Sequence, residues 1–125
     1  MASLESPEPD ERLAKALALK NDGQYDDAIA ELKAILAADP KHAVAHLNLG
    51  LVYGFIGLFD ESLDELQQAL ACRPSYLDAH LNLGKTYCML GMYDEAKTEF
   101  THVLELQPDH AEAKKQLSYF ENFGL

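Results

Sequence analysis

Apolar residues in this chain run in pairs of short helical stripes, each pair broken by a glycine and closed by a proline. In residues 43–76, Val44, Leu47, Leu49, Leu51, Val52 and Phe55 carry a first helix that stops before Gly57. Phe59, Leu63, Leu66 and Leu70 follow at three- and four-residue steps on one face of a second helix, which Pro74 ends. In residues 77–110, Leu77, Leu81 and Leu83 lead to Gly91, then Tyr93, Phe100, Val103 and Leu104 lead to Pro108. Pro40, Pro74 and Pro108 are 34 residues apart, as are Gly23, Gly57 and Gly91. A fixed period of this length predicts one helix–turn–helix unit stacked several times.

Polar positions keep the same period. Asp26-Asp27, Asp60-Glu61 and Asp94-Glu95 fall in the first turn of each second helix, where carboxylates favour the positive end of the helix dipole. With Glu31, Asp64, Glu65 and Glu99 they are read as helix-start and solvent-face residues and not as a functional charge run. Ser75 to Asp78 and Asp109 to Glu112 fit the pattern of a small polar cap answered by an acid three residues on. Gly50 and Gly84 lie inside helices, where glycine costs about 1 kcal/mol relative to alanine. Close approach of a partner helix would offset that cost; Ala16 and Ser118 hold the equivalent places in the first and last units.

These residues resemble the tetratricopeptide repeat family. The second unit matches its pattern with Leu49, Gly50, Tyr53, Gly57, Phe59, Ala69 and Pro74, and the third with Leu83, Gly84, Tyr87, Gly91, Tyr93, Ala96, Phe100 and Pro108. The first keeps Ala16, Gly23, Tyr25, Ala28 and Pro40. The resemblance implies an all-α fold: a right-handed α-solenoid of three helix-turn-helix repeats (about 9–42, 43–76 and 77–110) and a C-terminal capping helix (about 110–121). Residues 9–125 would form a single domain, after a disordered segment 1–8 with no apolar periodicity. Arg12 and Lys15 stand where the pattern wants apolar residues, which places the start of the array here; His46 and His80 replace its tryptophan-like position, and Ser62 an alanine.

Carried over residue by residue, the family's concave, partner-binding face falls on Leu13 and Leu17, then Val44, Leu47, Asn48, Leu51 and Phe55, then Leu81, Asn82, Lys85 and Met89, and finally Tyr119. One subfamily grips a C-terminal carboxylate with Lys, Arg and Asn. Its pattern keeps Asn48 here but meets Leu13, Leu17, Asp78 and Asn82 elsewhere, so that clamp is not expected. Repeated asparagines suit an extended peptide, since one amide offers both a donor and an acceptor; the alternative is that they are family background. The leucines suit an amphipathic helix or apolar peptide, or else belong to the inter-helix core.

Composition narrows the partner. A net charge of −11, from 21 acidic and 10 basic residues, repels a phosphate backbone and argues against nucleic acid. No apolar run suits a signal peptide or a membrane span, so a cytoplasmic protein without membrane insertion is expected. Cys72 and Cys88 have no metal spacing and read as reduced thiols. His42 and His46, four apart, could share a face as metal ligands do, but packing is the preferred reading. No nucleophile, phosphate-loop or cofactor signature stands out. The sequence therefore indicates a non-catalytic protein–protein adaptor with no cofactor, binding a peptide or helix of a partner in the groove. Two alternatives are a self-assembling module, forming a homo-oligomer through its apolar end 119–125, and a small secretion-type chaperone.

Overall fold

The computed structural model describes residues 9–125; the segment 1–8, read above as disordered, lies outside them. Among the described residues seven helices follow one another: α1 (Pro9–Asn21), α2 (Tyr25–Ala38), α3 (Ala43–Phe55), α4 (Phe59–Cys72), α5 (Leu77–Met89), α6 (Tyr93–Leu106) and α7 (Ala111–Phe123). Among the described residues there is no strand. The helices pair as α1–α2, α3–α4 and α5–α6, each pair docks on the next, and α7 covers α6. First helices also touch one another, α1 on α3 and α3 on α5, so they form a continuous inner layer of an all-α solenoid. Each turn within a pair depends on its glycine: Gly23, Gly57 and Gly91 have φ of +76°, +82° and +72°, a region that a side chain disfavours.

The core is a series of layers. Ala16, Ala28 and Leu32 of the first unit pack with Ala45, Leu49 and Val52 of the second. Leu47, Leu66 and Ala69 then pack with Ala79 and Leu83 of the third. Phe100 and Val103 finally pack with Ala113 and Phe120 of α7. Each unit is thus completed by its neighbour, as in other solenoids.

Gly50 and Gly84 make the pairs close. A Cβ on Gly50 would stand 2.9 Å from Leu66 Cγ, and one on Gly84 would stand 2.8 Å from Phe100 Cε1. Both partners are fully buried. Ser62 shares the first contact and donates its hydroxyl to the Gly50 carbonyl at 2.8 Å, so the polar replacement in this tight place is satisfied. Arg12 and Lys15 both reach Glu31 on α2, at 3.8 and 3.1 Å, so these polar residues of α1 are tied within their own unit.

Gly84→Ala should therefore destabilise despite its better helix propensity. Overpacking a filled core costs about 1–3 kcal/mol, against about 1 kcal/mol regained in the helix. Urea unfolding should show a lower midpoint for Gly84→Ala, and adding Phe100→Leu should cost less than the sum of the two single changes.

Candidate functional site

A recess of about 290 Å³ lies between the C-terminal halves of α3 and α5, lined also by Phe59, Ser62 and Leu66 of α4. Leu51 and Phe55, four apart, form its α3 wall, and Asn82, Lys85 and Met89 form its α5 wall at steps of three and four. Gly50 and Gly54 open the space between them, because neither puts a side chain into it. Phe55 and Met89 are 58% and 65% exposed, which is far from a core setting. Lys85 supplies a cation at this site, its Nζ 2.7 Å from Glu112 Oε1 on α7. Asn82 donates one amide N–H to the Asp78 carbonyl at 2.8 Å, which leaves its Oδ1 and a second N–H to face a ligand.

Five of the positions expected on the groove therefore converge: Leu51, Phe55, Asn82, Lys85 and Met89. The others are placed differently. Leu47 and Leu81 lie in the core layers and do not line the recess, so their helical spacing served packing. Leu13 is half-buried against the first layer, and Leu17 and Val44 are half-buried on α1 and α3. Tyr119 lines a separate recess of about 200 Å³ with Lys115 and Gln116 and stacks on Phe123 at 4.6 Å.

Asn48 and Asn82, one period apart, have different surroundings. Asn48 is only 6% exposed. It donates to the Val44 carbonyl at 2.8 Å and accepts from Lys20 Nζ at 2.7 Å. The group that stands over it is thus the Lys20 ammonium, whose pKa is lowered from its ordinary value by burial. Sequence reasoning missed Lys20, because the contact spans 28 residues and Gly54 and Cys88 at the equivalent positions carry no charge. Burial also pushes the Cys88 thiol up, which keeps it a poor nucleophile.

The histidines are structural, in two sets. His42 and His110 are N-caps: each ring accepts through Nδ1 from the backbone N–H three residues on, Ala45 at 3.0 Å and Ala113 at 3.2 Å. This corrects the expected capping boxes. The residue before α5 is Tyr76, which makes no side-chain cap bond, and α7 is capped by the imidazole of His110. His46 lies between Glu65 (3.0 Å) and the Pro40 carbonyl (2.7 Å), and His80 between Glu99 (2.7 Å) and the Pro74 carbonyl (2.9 Å). Arg12–Glu31 is the same pairing one period earlier. Glu31, Glu65 and Glu99 are therefore half-buried partners of a repeated cation position, and not the solvent-face residues that their spacing suggested. Among the described residues no three His, Cys, Asp or Glu side chains come together to hold a metal ion.

Two family models, each described as a tetratricopeptide repeat, match residues 13–53 and 57–117. The chain belongs to the tetratricopeptide repeat (TPR) family. Among solved TPR-like structures, MamA superposes with a TM-score of 0.90 at 26% identity, over 99% of this chain and 73% of that one. The first TPR of Spaghetti (RPAP3), solved with the HSP90 peptide SRMEEVD, gives 0.88 at 27% identity over 94% of both chains. The second TPR domain of human RPAP3, solved with the HSP70 peptide SGPTIEEVD, gives 0.83 at 27% identity over 91% of this chain and 98% of that one. No curated protein matches the sequence. Among the described residues of this TPR chain, no helix is long and apolar enough to cross a membrane.

The histidine caps of the TPR units yield a direct test. His42→Ala should cost about 1 kcal/mol, while His42→Asn, which restores a side-chain acceptor, should recover most of it. Thermal melts of the two variants, side by side, decide whether the ring acts as a cap.

Proposed function

We propose that this protein is a non-catalytic adaptor that holds a short segment of a partner protein on its concave face, centred on the recess between α3 and α5. The observation that carries this reading is the convergence of exposed Phe55 and Met89 with Leu51, Asn82 and Lys85 around one cavity. Apolar anchors beside a few oriented polar groups are what a peptide groove requires. The neighbours solved with HSP90 and HSP70 peptides support the same class of ligand.

The chemistry here favours a different peptide. Leu13, Leu17, Asp78 and Asn82 occupy places where the carboxylate-gripping subfamily carries its Lys, Asn and Arg. An acidic C-terminus would lack most of its cationic partners and would meet Asp78. The ligand proposed is an apolar segment whose bulky side chain enters the recess, with one acid facing Lys85 in competition with Glu112. Asn82 would set the register by bonding the peptide backbone, whereas Asn48, already bonded to Val44 and Lys20, would contribute through the position of Lys20. Leu13, Leu17, Val44 and Tyr119 would flank this centre at either end. We place the protein in the cytoplasm, with no nucleic acid among its partners.

Peptides selected from a random display library should carry a large apolar residue next to an acid and bind with a Kd of about 10 μM. Met89→Ser with Lys85→Ala should weaken them about tenfold or more by calorimetry while leaving the melting temperature within a few degrees. Selected peptides that bind this double variant as tightly as the original chain would remove the recess from the mechanism. The HSP90 peptide SRMEEVD should bind more weakly than any selected peptide.

A further inference from the structure

Exposed apolar side chains are ordinary when scattered singly, and informative when they gather. Here they gather on one edge. The α3–α4 turn exposes Ile56 and Leu58, and the α5–α6 turn exposes Leu90 and Met92, with Tyr93 beside it. Phe55, Met89 and Phe123, the last residues of α3, α5 and α7, are 34 residues apart and are 58%, 65% and 66% exposed. The end of α7 joins the same edge. Tyr93 and Phe120 have ring centroids 5.8 Å apart, and Lys97 Nζ donates to the Leu125 carbonyl at 2.7 Å. Among the described residues, the exposed large hydrophobic side chains other than Leu106 lie on this edge or, for Tyr119, pack against it through Phe123 at 4.6 Å. The first unit contributes none, because its turn is Asn21, Asp22 and Gln24. The apolar edge therefore has a polar end at the first unit and runs through the second and third to α7.

Acids fringe it. Asp60 and Glu61 open α4, Asp94 and Glu95 open α6, and all four are exposed. No Lys or Arg occurs from residue 42 to 72 or from 86 to 96. We infer that this edge is a second docking surface, taking an amphipathic segment of a partner protein whose apolar face is flanked by Lys or Arg. The charge selects that occupant. A second copy of the chain would bring two acidic fringes together, each on a molecule of net charge −11. Anionic lipid headgroups would meet the same repulsion. A basic flank instead gains from Asp60, Glu61 and Glu95, and from Asp94 in competition with Lys97, whose Nζ stands 3.6 Å from it, while Leu and Met side chains offer an adaptable apolar contact. The surface is separate from the proposed groove: Ile56, Leu58, Leu90 and Met92 do not line the recess, and only Phe55 and Met89 border both.

The probe is a fluorescein-labelled amphipathic helical peptide of about 18 residues built from Leu and Lys, with a Leu/Glu counterpart as its charge inverse. Anisotropy titrations compare the original chain with three variants. One is Ile56→Ser/Leu58→Ser/Leu90→Ser/Met92→Ser, the second is Asp60→Asn/Glu61→Gln/Glu95→Gln, and the third is the groove variant Leu51→Asp. The Leu/Lys peptide should bind the original chain and the groove variant alike, and both edge variants at least about tenfold more weakly. The Leu/Glu peptide should not bind. Absence of Leu/Lys binding, equal binding by the charge-neutralised edge variant, or loss only with Leu51→Asp overturns the inference. Sedimentation of the original chain and the four-serine variant tests a second copy as the occupant, and flotation with phosphatidylcholine vesicles tests lipid. A dimer or a vesicle complex that the four serines abolish would also overturn it. The groove is probed by display-selected peptides and by Met89→Ser with Lys85→Ala, so the two readings fail independently.

Discussion

The contact on which the rest depends is the entry of Leu66 against Gly50 and of Phe100 against Gly84. A Cβ at either glycine would come within 3 Å of a buried side chain, so only glycine lets α4 lie on α3, and α6 on α5, at this separation. Once seated, the second helix of each pair presents the next interface: Leu66 and Ala69 to α5, Phe100 and Val103 to α7. The glycine has a second effect on the inner side. Gly50 and Gly54 leave the α3 wall without bulk, which makes room for the recess that Leu51 and Phe55 border.

Electrostatics reinforces this frame without creating it. At one position of each unit a cation or histidine on the first helix meets a glutamate on the second: Arg12 with Glu31, His46 with Glu65, His80 with Glu99. The two histidines also reach the carbonyls of Pro40 and Pro74. They therefore tie the start of a unit to the loop before it, which an aromatic ring without polar atoms could not do. The exposed acids at the helix starts do the opposite work. They remain in solvent and give the molecule a strongly negative outer edge.

The period made the fold legible, because recurring glycine, proline and apolar positions each carry one structural meaning. Depth was less legible. Leu47 and Leu51 share a helical face and a residue type, yet one is core and the other borders the recess; helical periodicity reports direction and not distance from the axis. The same limit hid the difference between Asn48 and Asn82, which Lys20 creates from 28 residues away. The α7 cap was misplaced because the template looks for a small polar residue, whereas here the His110 imidazole nitrogen accepts the bond, and α5 follows Tyr76 with no side-chain cap bond at all. The apolar edge was present in the sequence residue by residue, but only stacking sets the α3–α4 turn beside the α5–α6 turn.

The layered core also has a consequence for how occupancy is felt by the molecule. No single layer joins all the units, so the chain behaves as a row of links, each with its own opening free energy and the outermost free to fray. The recess is walled by α3 on one side and α5 on the other, which belong to successive units. A segment lodged there would act as an added rivet across one link, stiffening the middle of the row while the ends keep their motion. Binding would thus be legible in the cooperativity of unfolding, as a broad sequence of partial openings drawn together into a sharper one.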